Sequence, residues 1–338
     1  MGARYQRCLA GFCRVRCVQA RGSTRGRALA RSGSLRRRNG AGAKLLSESA
    51  LGESVDASPF DLPGQGQVDA AALCLHGLTG TPYEVRPLAV ALAACGIRAR
   101  GPLLPGHGTT VEELAKLQYR DWVDAVHEEY EGLRTQHARV FVVGLSLGGL
   151  LGLELASRTR PDAIAVVGTP LGFRPPIPQL IPLLKRFKSM LEKREGSDIR
   201  DSEARARHPG YPRMPLASIH ELIRLQRVVA QGLKRIQAPA LVAHGAHDRT
   251  ANFRDADRIL AGLGSKNKEI LVCANSAHVV PVDHDGGLLA QRIADFMVDC
   301  LDGPEGTDRP GEAGIARVGA QSANPPGAGA DLKKENGR

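Results

Sequence analysis

Short apolar runs alternate with longer segments of helical period between about residues 67 and 302. The runs Ala71-Ala72-Leu73-Cys74-Leu75, Val140-Phe141-Val142-Val143, 164–167, Ala240-Leu241-Val242-Ala243 and Ile270-Leu271-Val272 contain no polar position. Strands buried on both faces read this way. Ile97-Arg98-Ala99-Arg100 starts a further strand. Helices are predicted over 86–95, closed by Gly96, over the amphipathic 121–135, over 150–156 and over 288–301. Alternation of this kind predicts an α/β fold with a mostly parallel central sheet covered by helices on both faces, and places active groups in loops at the carboxyl ends of its strands.

One stretch breaks the alternation. No convincing strand is seen across 171–236; an apolar and basic helix is predicted over 177–191, then a charged stretch, then a helix over 216–234. This predicts a helical cap inserted after a central strand. Lys185, Arg186 and Lys188 accompany Leu183, Leu184 and Phe187 in its first helix. A helix lying on a membrane surface has that composition, but a cap closing over an apolar pocket is the simpler expectation. Residues 1–66, rich in Arg, Gly and Ser and then in Gly and Pro, and 303–338, rich in Gly, Pro and Ala, are predicted to be disordered tails.

Charge changes the picture less than its total suggests. The 338-residue chain carries a net charge of +11, yet residues 1–44 hold eleven Arg and one Lys without an acidic residue, which leaves 34 basic against 35 acidic residues elsewhere. The basic character belongs to a tail, so no nucleic-acid-binding domain is expected, while weak membrane association through that tail stays open. The Arg-rich, acid-free start resembles an organellar transit peptide; a start site placed too far upstream would look the same, and a disordered or non-native extension is the favoured reading. Apolar residues make up 42% of the chain, enough for a large core. Seven cysteines form no pairing framework, and Cys8, Cys13 and Cys17 lack the spacing of a zinc site. Cys74 and Cys273 read as small buried hydrophobes, no window spans a bilayer, and a cytoplasmic protein without metal is expected.

The candidate chemistry sits at the ends of the apolar runs. Gly144-Leu145-Ser146-Leu147-Gly148 lies between a predicted strand and a predicted helix. A serine there occupies a sharp, strained turn that lifts its hydroxyl above the sheet, with glycines removing Cβ atoms that would collide. A serine hydroxyl needs a histidine to take its proton and a carboxylate to orient that histidine. Asp248, just past the strand at 240–243, is the preferred acid over Asp255 and Asp257. His278, between the last strand and the last helix, is the preferred base, with His284 in reserve and His244 and His247 as loop scaffolding. The order Ser, Asp, His is the one an α/β-hydrolase requires. The spacing of His278 and Asp283 reads as coincidence. Backbone N–H groups of Leu147 and Leu78 are the predicted oxyanion donors, the latter in His76-Gly77-Leu78-Thr79-Gly80. His76 and His107 are expected to brace loops.

These motifs, with Pro105-Gly106-His107-Gly108 and Gly149, together resemble the α/β-hydrolase carboxylesterases, in the branch of bacterial esterases and monoacylglycerol lipases with a small helical cap. The resemblance runs from about residue 68 to 301 and is weakest in the cap. It implies cofactor-free hydrolysis of short- to medium-chain acyl esters or monoacylglycerols, with a small-molecule ester as partner, and it implies Leu78 and Leu147 as the oxyanion hole. A serine aminopeptidase of the same fold is the alternative; it needs an acidic anchor for a free amine, for which Glu192, Glu195, Glu203 and Glu221 are candidates. A non-catalytic ligand-binding protein of this fold is the other.

Overall fold

In a computed structural model, residues 55–301 are described, apart from 67, 174 and 194. The expectations for 1–54 and 302–338, including the basic segment and its three cysteines, lie outside the described residues. Seven strands form the main sheet: β1 (Phe60–Leu62), β2 (Ala70–Leu75), β3 (Arg98–Gly101), β4 (Arg139–Leu145), β5 (Ala163–Val167), and, after a two-strand excursion, β8 (Ala240–Gly245) and β9 (Lys268–Cys273). Their spatial order is β1-β3-β2-β4-β5-β8-β9, parallel throughout except for the edge strand β1. Every residue of β2, β5 and β8 is buried, as their unbroken apolar runs predicted.

Helices cover both faces. On one, α1 (Arg86–Ala94) packs with α9 (Gly286–Leu301) over Phe141, Val143, Ala165 and Leu241. On the other, α3 (Tyr119–Arg134) and α4 (Leu147–Arg158) pack over Val140, Val142, Ile164 and Val242. The short α2 (Val111–Leu114) precedes α3, and α8 (Arg254–Gly262) lies between β8 and β9. Cys74 and Cys273 are fully buried among these residues, and burial pushes both thiols up to about 12.

Two regions depart from expectation. Phe60–Leu62, read as linker, is an edge strand antiparallel to β3; the Phe60 ring lies against Gly101, and the Arg98 guanidinium forks onto Asp61 at 2.7 Å through both nitrogens. Three residues are too few to show a period, and the partner strand supplies the order.

The cap also differs. Its helix α5 ends at Leu184 (Ile177–Leu184) instead of continuing to 191, and Met190–Glu192 (β6) pairs antiparallel with Arg213–Pro215 (β7). The expectation of a strand-free cap is therefore wrong: each strand contributes three residues and is stabilised by a partner about twenty positions away, a pairing that no local pattern announces. Between them lies α6 (Ser202–Arg207), and α7 (Leu216–Gly232) follows directly. The α5 helix turns only part of its apolar surface inward. Ile181 is its buried residue, set against Leu216, Ile219 and Ile223, whereas Ile177, Leu180, Leu183 and Leu184 are exposed and Phe187 beyond the helix is 82% exposed. Among the described residues no helix is long and apolar enough to cross a membrane.

Candidate active site

The turn between β4 and α4 holds Ser146 at φ 54°, ψ −110°, a left-handed conformation costly for any residue with a side chain. The strain is held from both sides. The Ser146 N–H donates to the Val167 carbonyl at 2.9 Å, and the Leu150 N–H donates to the Ser146 carbonyl at 3.1 Å. A Cβ on Gly148 would collide with the Leu75 carbonyl, so glycine is what lets the helix start so close to β2.

Two loops from the far side of the sheet meet this serine. His278, after β9, places Nε2 2.9 Å from Ser146 Oγ, and its Nδ1 lies 2.8 Å from Asp248 Oδ2. Asp248, in the loop after β8, is fixed through its other oxygen by the N–H groups of Thr250 at 2.8 Å and Ala251 at 2.7 Å. Desolvation alone would raise the Asp248 carboxyl, but the His278 charge and the imidazoles of His244 and His278 hold it well below the ordinary range. Burial alone would lower His278; the Asp248 carboxylate outweighs it, so the imidazole is more basic than a free histidine. With Asp248 accepting at Nδ1, the other ring nitrogen is free to accept the serine proton.

The remaining histidines sort by environment. His244 lies beneath Asp248, with Nε2 3.1 Å from Oδ2 and its ring edge-on to Phe253 at 5.5 Å. His247 and His284 are exposed and make no bond to Ser146. His76 accepts the Leu104 N–H at Nε2 (3.1 Å), which puts its proton on Nδ1, 2.9 Å from the Gly77 carbonyl. His107 accepts the Thr79 N–H at Nε2 (3.1 Å). Burial holds His76 down and His107 at about 3, so both stay neutral and act as braces between two loops.

Leu78 sits in the turn Gly77–Gly80, closed by a bond from the Gly80 N–H to the Gly77 carbonyl at 3.1 Å. That turn lies against the serine: a Cβ built on Gly77 would come 3.5 Å from Ser146 Cβ. Among the described residues, neither the Leu78 N–H nor the Leu147 N–H is taken up by a protein acceptor.

Several site residues carry no local sequence signal. The Asp283 carboxylate accepts the N–H groups of Ala277, His284, Arg200 and Asp201 at 2.8–2.9 Å, fastening the His278 loop to the cap. The Asp198 carbonyl accepts the His278 and Val279 N–H groups, and its carboxylate accepts the Arg249 N–H at 2.8 Å. Asp255 accepts the N–H groups of Leu171 and Gly172 at the cap entrance, away from the imidazole.

A parallel sheet, a strained serine turn opening a helix, and an imidazole bridging hydroxyl and carboxylate define an α/β-hydrolase. The chain belongs to the family described as serine aminopeptidase, S33, which matches residues 66–285. It is 35% identical over 231 residues to a thermostable monoacylglycerol lipase of Bacillus sp. strain H-257, covering 67% of this chain and 89% of that protein. It is 27% identical over 244 residues to a carboxylesterase of Bacillus subtilis strain 168, covering 72% and 97%. A solved structure of a metagenome-derived lipolytic enzyme superposes with a TM-score of 0.67 at 29% identity, covering 72% of this chain and 98% of the other. A monoglyceride lipase variant from Saccharomyces cerevisiae shares the fold at a TM-score of 0.60 and 18% identity, covering 72% and 90%.

Proposed function

We propose that this protein is a carboxylic ester hydrolase that works through an acyl-enzyme on Ser146. The observation that carries the reading is the unbroken hydrogen-bonded chain Ser146 Oγ–His278–Asp248 on a strained turn. His278 Nε2 takes the hydroxyl proton as Ser146 Oγ attacks the ester carbonyl carbon. Asp248 stabilises the imidazolium that results. The Leu78 and Leu147 N–H groups receive the oxyanion, His278 returns the proton to the departing alcohol, and water, activated by the same imidazole, releases the acid.

The substrate class proposed is short- to medium-chain acyl esters or monoacylglycerols. It is supported by the likeness to a bacterial monoacylglycerol lipase and a bacterial carboxylesterase and by the exposed apolar residues of α5 beside Lys185, Arg186 and Lys188, which suit a lipid–water boundary. The aminopeptidase alternative, whose name the family bears, needs a free carboxylate at the site. Glu221 is engaged by Arg224 and the Tyr119 N–H, Glu195 by Arg249, and Glu192 and Glu203 are exposed. None of the four offers such an anchor.

Hydrolysis of p-nitrophenyl butyrate by wild type and Ser146→Ala tests the reading. The substitution is expected to lower kcat by on the order of 10⁶-fold. An unchanged rate, or faster turnover of an aminoacyl arylamide than of the ester by wild type, overturns it.

A further inference from the structure

The turn that offers the Leu78 N–H is not held by the sheet alone. The Glu84 side chain, 4% exposed, lies directly beneath it. One carboxylate oxygen accepts the Gly77 N–H at 2.8 Å. The other lies 2.9 Å from Nε2 of His208, which comes from the cap immediately after α6. The Gly210 N–H donates to His208 Nδ1 at 3.2 Å, and Ser197 Oγ lies 2.9 Å from the same nitrogen. Nδ1 is therefore an acceptor, the proton is on Nε2, and Nε2–H donates to Glu84.

The next peptide of the turn is also held by the cap. Thr79, at φ 65°, accepts the Tyr211 N–H at its carbonyl (2.8 Å) and the Lys193 ammonium at its hydroxyl (2.5 Å). Leu78 is thus clamped between two residues that segment 193–211 of the cap secures. The glycines of the turn fit the same account. A Cβ on Gly80 would collide with the Glu84 carboxylate, and one on Gly77 would come 3.1 Å from Glu84 Oε2.

A buried carboxylate beside a developing oxyanion would oppose it if its charge were bare. Desolvation alone would raise the Glu84 carboxyl, but the hydrogen bonds from His208 and the Gly77 N–H hold it below the ordinary carboxylate range. Burial holds the half-buried Lys193 ammonium below its ordinary value, with the Glu84 carboxylate opposing that shift. The Glu84 group is ionised and pinned, and an oxyanion donor has to be fixed before the reaction in this way to stabilise a transition state.

We propose that Glu84, His208 and Lys193 are positioning residues that aim the Leu78 N–H at the oxyanion, making segment 193–211 of the cap a fixed part of the hydrolytic machinery and not a lid that lifts from it. The proposal rests on the ester-hydrolase reading. It goes beyond that reading by assigning the cap a role in transition-state stabilisation.

The test compares wild type, Glu84→Gln, His208→Ala, His208→Gln and Lys193→Met. The readouts are kcat and KM for p-nitrophenyl butyrate and the Ki of a butyl trifluoromethyl ketone, whose hemiketal places an oxyanion in the hole. Glu84→Gln presents an amide donor to the His208 donor and is expected to lose roughly 10–100-fold in kcat, the scale of a misaimed group. Its KM should stay within about twofold, and its Ki should weaken in proportion to kcat/KM. His208→Gln, whose amide still donates, should retain more activity than His208→Ala. Circular dichroism reports folding; if Glu84→Gln does not fold, Lys193→Met, which leaves the buried pair intact and frees only the Thr79 hydroxyl, is expected to show the same split on a smaller scale. Folded variants with wild-type kcat, a loss confined to KM, or a kcat loss without a weaker Ki each overturn the proposal. Ser146→Ala separates the two claims: if it stays active, the ester-hydrolase reading falls, whereas a serine-dependent enzyme indifferent to Glu84→Gln defeats only the positioning role.

Discussion

At the scale of single residues, the proposed mechanism requires His278 to be neutral when the substrate arrives. Asp248 raises the imidazole above its ordinary 6.5, so the accepting form is lost as pH falls through a value higher than that. The pH profile of kcat/KM should therefore show an acid limb above 6.5, and Asp248→Asn should move that limb to lower pH while lowering kcat by about 10⁴-fold. An acid limb that stays in place in Asp248→Asn would show that another group titrates. Ser146, Asp248 and His278 were legible in the sequence because each follows an apolar run whose end the pattern locates. Leu78 and Leu147, the proposed oxyanion donors, stand beside glycines that the sequence places in turns. Glu84 and His208 were not, because they stand 124 positions apart and each is ordinary in its local context. Only folding makes them a buried pair.

At the scale of elements, the inner strands β2, β4, β5 and β8 could be read from their apolar runs, since burial on both faces leaves little that is polar to disguise them, whereas the edge strand β1 could not. The cap could not. Its strands are three residues long, and its order comes from anchoring to loops of the main domain. Asp283 is the clearest anchor, since its carboxylate ties Arg200 and Asp201 to the His278 loop. Desolvation opposes ionisation there, but the four N–H donors hold the carboxyl below 3.8. Asp283→Ala leaves buried donors without their acceptor and is expected to cost about 2–3 kcal/mol in urea unfolding. Because the folded value is depressed, this contribution is complete above the unfolded value near 3.8 and is lost as pH falls toward the folded one. The stability gap between wild type and Asp283→Asn should therefore narrow below about pH 4; a gap that is constant with pH would mean the ionised form is not what fastens the cap.

At the scale of the whole molecule, the proposed lipid substrate class makes contact with a lipid surface a testable expectation, to which two features would contribute by different physics. Residues 1–44 carry eleven Arg and one Lys without an acid, while the rest of the chain is close to neutral. Attraction of such a segment to anionic headgroups is coulombic and is screened within a Debye length of about 8–10 Å. The exposed Leu183, Leu184 and Phe187 would act by removing apolar surface from water, which salt does not weaken. The two contributions therefore separate in a salt titration. Co-sedimentation of the full chain with phosphatidylserine-containing vesicles should fall as salt rises and level off at a residual fraction in about 0.5 M NaCl. Leu183→Ser with Phe187→Ser should abolish that residue of binding and leave the low-salt fraction largely intact. Both side chains are exposed, so the double substitution should leave the unfolding midpoint and the turnover of water-dissolved p-nitrophenyl butyrate unaltered, while KM for an emulsified monoacylglycerol rises. If the high-salt fraction is absent in wild type, or survives both substitutions, the apolar face of the cap is not a lipid contact, and any association belongs to the basic segment alone.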